Sequence, residues 1–165
     1  MKREDAASEW KMPPMAKIYE ALGALGDGRV RLEDDRRATV LSSDGSKTYV
    51  VETRPDSREV SSNDNASYWQ GYLGYPAIAV LIARGLASPR REALAALTGI
   101  PWKQLNSSFR NDYRRTIAEA IARAQRTGHD PAMIETEAEA VLDALRRFAP
   151  LKGARRRPPR PAKSE

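Results

Sequence analysis

RRATVLSSDGSKTYVVET, residues 36–53, is the stretch on which the fold turns. Two β-rich runs flank Asp44-Gly45, a dipeptide whose positions both tolerate positive φ, and together they predict a hairpin. VRLE at 30–33 predicts a short strand before it, and REVSS at 58–62 predicts a returning strand after the Pro55-Asp56 turn. The consequence is a small antiparallel sheet in the N-terminal half.

Helical spacing surrounds this sheet. Met15, Ile18, Tyr19, Leu22 and Leu25 follow Pro13-Pro14 at i, i+3, i+4, i+7 and define an amphipathic helix that stops at Gly26-Asp27-Gly28. The wholly apolar AIAVLIA at 77–83 predicts a short buried helix, with a start as early as Asn65. Ser88-Pro89 reads as N-cap and first turn of a helix carrying Leu94 and Leu97, closed by Gly99. One longer helix is expected from Leu105 through Phe109, Tyr113, Ile117 and Ile121 to Ala124, and a second carries Ile134, Ala138, Val141, Leu145 and Phe148. Gly128-His129-Asp130-Pro131 joins them as an αα-hairpin. The class is therefore α+β: a small antiparallel sheet packed with helices, and a helical C-terminal half. The expected organisation is an unstructured leader at 1–13, one domain at 14–149 (helix, hairpin and core helix over 14–88, helical part over 89–149) and an unstructured Arg/Pro-rich tail at 150–165.

Composition narrows the chemistry. The 165 residues include no cysteine and one histidine, His129, which leaves no thiolate ligand, no cysteine nucleophile and no histidine pair. No P-loop, dinucleotide fingerprint or nucleophile motif is present: GALGDG at 23–28 spaces glycines at the end of a helix, where a phosphate loop would need them between strand and helix. Glu33, Asp34 and Asp35 abut Arg36 and Arg37 and read as a solvated, internally paired turn. The expectation is a non-enzyme with no cofactor and no metal. The longest apolar run is too short for a bilayer span, so the chain reads as a soluble, cytoplasmic protein without a membrane role.

The net charge of +6 is concentrated at one end: LKGARRRPPRPAKSE, residues 151–165, carries six of the 28 basic residues and one of the 22 acids. Arg155, Arg156, Arg157 and Arg160 form a cationic arm whose roles are phosphate binding or simple solubility. AALTGIPWKQL at 95–105 supplies a second candidate. Ala95, Gly99 and Leu105 fall at the spacing of a helix-turn-helix, in which a small residue lets two helices cross, a glycine makes the turn and an aliphatic residue packs the second helix back. That places Trp102, Lys103, Gln104, Asn106, Ser107 and Arg110 on or near an outer face, with Arg114 beyond, where basic and amide groups meet phosphates and base edges. The competing reading is an ordinary helix corner with Trp102 in the core.

VLSSDGSKTYVVE at 40–52 followed by GYPAIAVLIARG at 74–85 resembles the SWIM-type zinc finger, over residues 38–85. In that family a strand pair precedes Cys-x-Cys, and Cys-x-His opens a helix. The ligand positions would fall near residues 61–63 and 74–76, where this chain has none, so the resemblance is to a degenerate, metal-free segment. What it implies is a small module that binds DNA or protein, without catalysis.

Between those two motifs lie Tyr68, Trp69, Tyr72 and Tyr75, four of the chain's eleven aromatics. Tyr68, Tyr72 and Tyr75 sit at i, i+4 and i+7, one stripe if the segment is helical. As core they would replace the zinc as a staple; exposed, they would stack on bases or a partner. Trp69→Ala would cost about 3–5 kcal/mol in the first case. The functional expectation is a nucleic-acid-binding protein, DNA-binding or regulatory; the alternative is a protein-interaction or self-assembly module with an aromatic contact surface.

Overall fold

The computed structural model describes residues 8–160. The fold is α+β. Strands β1 (Val30–Leu32), β2 (Arg37–Leu41), β3 (Thr48–Thr53) and β4 (Glu59–Ser62) form an antiparallel meander, and β5 (Leu151–Lys152) adds in parallel to β4, giving the order β1-β2-β3-β4-β5. Helix α1 spans Met15–Gly26, α2 Tyr75–Ala83, α3 Arg91–Ala96, α4 Trp102–Ser108, α5 Tyr113–Arg126 and α6 Pro131–Phe148; a π-helical turn occupies Ala66–Gln70. Among the described residues no helix is long and apolar enough to cross a membrane.

Period-two alternation aims Ala38, Val40, Val51 and Val60 at the helices, and all four are fully or almost fully buried. α2, apolar on every side, lies against strands β1 to β4, with α1 packed on its other side and touching α3, α5 and α6 in turn. Ile18, Leu22, Ile78, Leu97, Trp102, Ile134 and Leu145 fill the space between these layers. Helices cover one face of the sheet; Arg37, Thr39, Val50 and Glu52 stand on the other.

The β2–β3 loop is wider than a two-residue turn. Only Gly45 takes positive φ, at 75°, and Asp44 acts through its side chain, accepting from Ser42 Oγ (2.8 Å), Ser46 N (3.0 Å) and Ser46 Oγ (2.7 Å). From the same loop Ser43 Oγ accepts the amide of Lys103 at 3.0 Å and so caps α4, whose preceding Pro101 has no side-chain acceptor.

Three helix boundaries correct the sequence reading. The helix expected from Leu105 to Ala124 is two: the chain breaks over Phe109–Asp112, where Arg110 (φ 51°) and Asn111 (φ 60°) are left-handed and Asp112 caps α5. The apolar stripe survives because both helices face the same core. Ser88 is not the N-cap of α3; that helix starts after Arg90, whose amide donates to Glu137 Oε2 of α6 at 3.1 Å. Nor does α2 begin at Asn65, since Gly71 (φ 76°) ends the π-helical turn first. The αα-hairpin follows the expected pattern, with Gly128 at φ 90° and Asp130 accepting from Ala132 N.

Parts of both expected tails, residues 8–11 and 150–153, pack on the domain. Trp10 is buried and donates Nε1 to Val60 O (3.0 Å) and its amide to Pro150 O (2.9 Å), while Lys152 N donates to Ser8 O (2.8 Å). A large ring and two ladder edges hold segments that composition marks as unstructured. The rest of the expected tails, 1–7 and 161–165, lies outside the described residues.

Candidate functional site

The expected DNA-reading surface does not form as one face. Ala95 is exposed, Trp102 is 2% exposed with its indole pressed on Gly23, and a Cβ built on Gly23 would overlap Trp102 Nε1. The helix corner is thus set by Gly23 of α1, a long-range partner that a local spacing does not reveal. The residues assigned to the outer face divide. Asn106 turns inward and donates Nδ2 to Glu20 Oε1 at 2.5 Å. Lys103 is held by Asp44 at 3.0 Å and Ser46 Oγ at 3.0 Å. Gln104, Ser107, Arg110 and Arg114 remain exposed.

Lys103, Asn106, Ser107 and Arg110 converge with Tyr75 on a polar cleft of about 380 Å³ between α1, the β2–β3 loop and the α4–α5 break. Its floor holds the buried Glu20, with Lys17 Nζ 3.1 Å from Oε2. Burial alone would lower the Lys17 pKa; the charge of the Glu20 carboxylate and then that of the Tyr113 phenol outweigh it and hold the pKa above the ordinary lysine value. Sequence reasoning missed Lys17 and Glu20, whose only signal is a charged pair on the buried side of an amphipathic helix.

The arm gathers elsewhere. Arg155 lies over the Tyr68 ring at 4.0 Å and donates to Tyr68 O at 3.0 Å; Arg156 pairs with Glu52 on β3 at 3.2 Å. Gly153 crosses Ser61 so closely that a Cβ there would overlap Ser61 Oγ. A shallow cleft of about 230 Å³ on this helix-free face is lined by Arg37, Val50, Glu52, Asn63, Arg156 and Arg157. Arg36 and Arg54 join Arg156 in the next one, of about 150 Å³. Arg157 and Arg160 have no ion-pair partner among the described residues.

The aromatic stripe is corrected as well. With no continuous helix, the rings diverge: Tyr75 packs edge-on against Tyr49 at 6.2 Å, Tyr72 is half-buried, and Trp69 is 68% exposed, edge-on to Tyr68 at 4.6 Å. The staple joining β4 to α2 is made by Asp64 instead. Its carboxylate accepts from Ser62 Oγ (2.5 Å), Ser67 Oγ (2.7 Å) and Ser67 N (3.0 Å), and Gly74 N donates to Ser67 Oγ (3.2 Å). Among the described residues no group of three or more His, Cys, Asp or Glu could hold a metal ion.

These features define an α+β protein with helices on one face of a mixed sheet, a guanidinium band on the other and a polar cleft at the loop end. The chain belongs to the family described as Uncharacterised conserved protein UCP014422, whose model matches residues 10–150. The ends of that match, Trp10 and Pro150, are hydrogen-bonded to one another. No curated protein and no solved structure matches the chain.

Proposed function

We propose that this protein is a non-enzymatic nucleic-acid-binding protein that takes single strands on the helix-free face of its sheet. The observation that carries the reading is Trp69, an indole 68% exposed beside a Tyr68 ring already covered by Arg155. Exposing a ring of that size is costly in water unless something stacks on it, and bases stack on aromatic faces whatever their identity. The guanidinium groups of Arg37, Arg156 and Arg157, which line one cleft of the sheet face, supply the phosphate contacts. A duplex suits α4 less well, because Asn106 turns inward and Lys103 is paired, which leaves only Gln104, Ser107 and Arg110 exposed there.

Fluorescence anisotropy with single-stranded and duplex oligonucleotides across a salt series tests the proposal. Single strands should bind more tightly, with log affinity falling against log salt at a slope between about −1.4, if Arg157 and Arg160 alone meet phosphates, and about −3.5 if all four arm arginines and Arg37 do. Trp69→Ala should weaken binding by about tenfold or more, from the loss of one stacked base, while leaving stability within about 0.5 kcal/mol. Absence of binding at low salt would sink the reading. The second reading, a protein contact surface, rests on the same exposed Trp69 and predicts self-association or partner capture that salt leaves intact; concentration-dependent light scattering that disappears in Trp69→Ala would favour it.

A further inference from the structure

The nucleic-acid reading leaves the polar cleft unexplained. Its floor holds one buried acceptor without a partner among the described residues, Asn106 Oδ1, beside Glu20, whose Oε2 is ion-paired with Lys17 at 3.1 Å. Buried acceptors are normally satisfied, so an unpartnered carboxamide oxygen beneath an open cleft points to a donor supplied from outside. The rim has the opposite character. Lys47 and Arg110 line it with no ion-pair partner among the described residues, whereas Lys103 is neutralised by Asp44. The backbone adds a third, independent sign: Arg110 and Asn111 are consecutive non-glycine residues at φ 51° and 60°, strain of the sort that collects where a side chain is being aimed.

We infer that this cleft binds a phosphomonoester carrying hydroxyl or amino donors, of the size of a sugar phosphate or a nucleoside monophosphate. The phosphate sits against Arg110 and Lys47, where a guanidinium can pair with two oxygens, and a donor is directed to Asn106 Oδ1. The volume of about 380 Å³ falls in the range of small-molecule sites, roughly 300–1,000 Å³. An apolar ligand would leave Asn106 Oδ1 without a donor, and a bare anion would occupy the rim but leave the floor unfilled. Neither Trp69 nor any arm arginine lines this cleft, so it stands apart from the sheet face.

Titration calorimetry of the full chain with inorganic phosphate, ribose 5-phosphate and AMP tests the assignment. At least one of the two organic phosphates should bind about tenfold or more tighter than inorganic phosphate, the increment expected when a buried, unpaired acceptor gains its donor. Arg110→Gly removes the rim cation and at the same time relieves a left-handed residue, so Tm should hold or rise while affinity falls about tenfold or more. Lys47→Gln should weaken binding at unchanged Tm. Failure of all three ligands to bind, affinity for both organic phosphates no better than for inorganic phosphate, or an Arg110→Gly protein of retained Tm that binds as well as the parent would each overturn the inference. Loss of binding in Trp69→Ala would move the ligand to the sheet face and overturn it too.

Discussion

Asp64→Ala should destabilise the protein by about 3–5 kcal/mol, a large part of the roughly 5–15 kcal/mol that a domain of this size has in total. Asp64 is 5% exposed, and its carboxylate is the sole acceptor shown for Ser67 N, Ser62 Oγ and Ser67 Oγ. Deleting it leaves three donors beneath the β4–α2 junction, each costing about 1–3 kcal/mol if left unpaired in a site that water cannot readily reach. Gly74→Ala should have a comparable effect for a different reason. Its φ of −73° and ψ of 172° suit any residue, so the backbone would accept alanine, but the new Cβ would overlap Asp64 Oδ2. Because the two changes contend for one space, the double variant should lose less than the sum of the singles. Urea midpoints of the four proteins measure this. A loss below about 1 kcal/mol in Asp64→Ala, or strict additivity, would mean that the junction is held by α2 burial alone.

The same junction shows why the sheet and the helices were legible in the sequence and the staple was not. Strands announce themselves through Ala38, Val40 and Val51 alternating with polar or outward-facing residues around Asp44-Gly45, and α6 through a stripe from Ile134 to Leu145, because burial repeats at the period of the element. Asp64 has no period. Read locally, SSNDN looks like turn and cap chemistry; its carboxylate becomes structural only once Gly74 is folded back over it. Trp69 failed in the opposite sense: an i, i+4, i+7 pattern in its neighbours implied a helix, and one left-handed glycine, Gly71, rotated the rings apart. Of the candidate site, the arm arginines and the α4 polar residues were readable from composition. Their separation onto two surfaces was not, since it depends on Glu20 of α1 drawing Asn106 inward across 86 positions of sequence.

Alkaline pH should unfold this protein more readily than neutral pH, and the buried phenol of Tyr19 should be one contributor. Burial, then the carboxylates of Glu135 and Glu139, push its phenol from the usual 10 up to about 12. The ring packs in the core at 4% exposure, so the raised pKa reflects a real preference of the folded state for the neutral form. A folded-state pKa above the unfolded value means that stability is complete below pH 10 and is lost as pH rises, because the unfolded chain releases the proton first. Across pH 10 to 12 the loss from Tyr19 is about 2 kcal/mol, taking about 1.4 kcal/mol for each tenfold change in proton affinity and discounting for solvent screening around the phenol oxygen. Tyr75 moves in the same direction, raised first by burial and then by Tyr49, and Lys17 adds to the trend once its ammonium, held by Glu20, begins to titrate. Urea midpoints at pH 8, 10 and 11 should therefore decline steeply over the last step, and Tyr19→Phe, which keeps the ring, should flatten that decline. A midpoint that is level from pH 8 to 11, or a decline that Tyr19→Phe leaves unchanged, would show that the α1–α6 contact admits the phenolate, and with it the solvent that the packing of Tyr19 excludes.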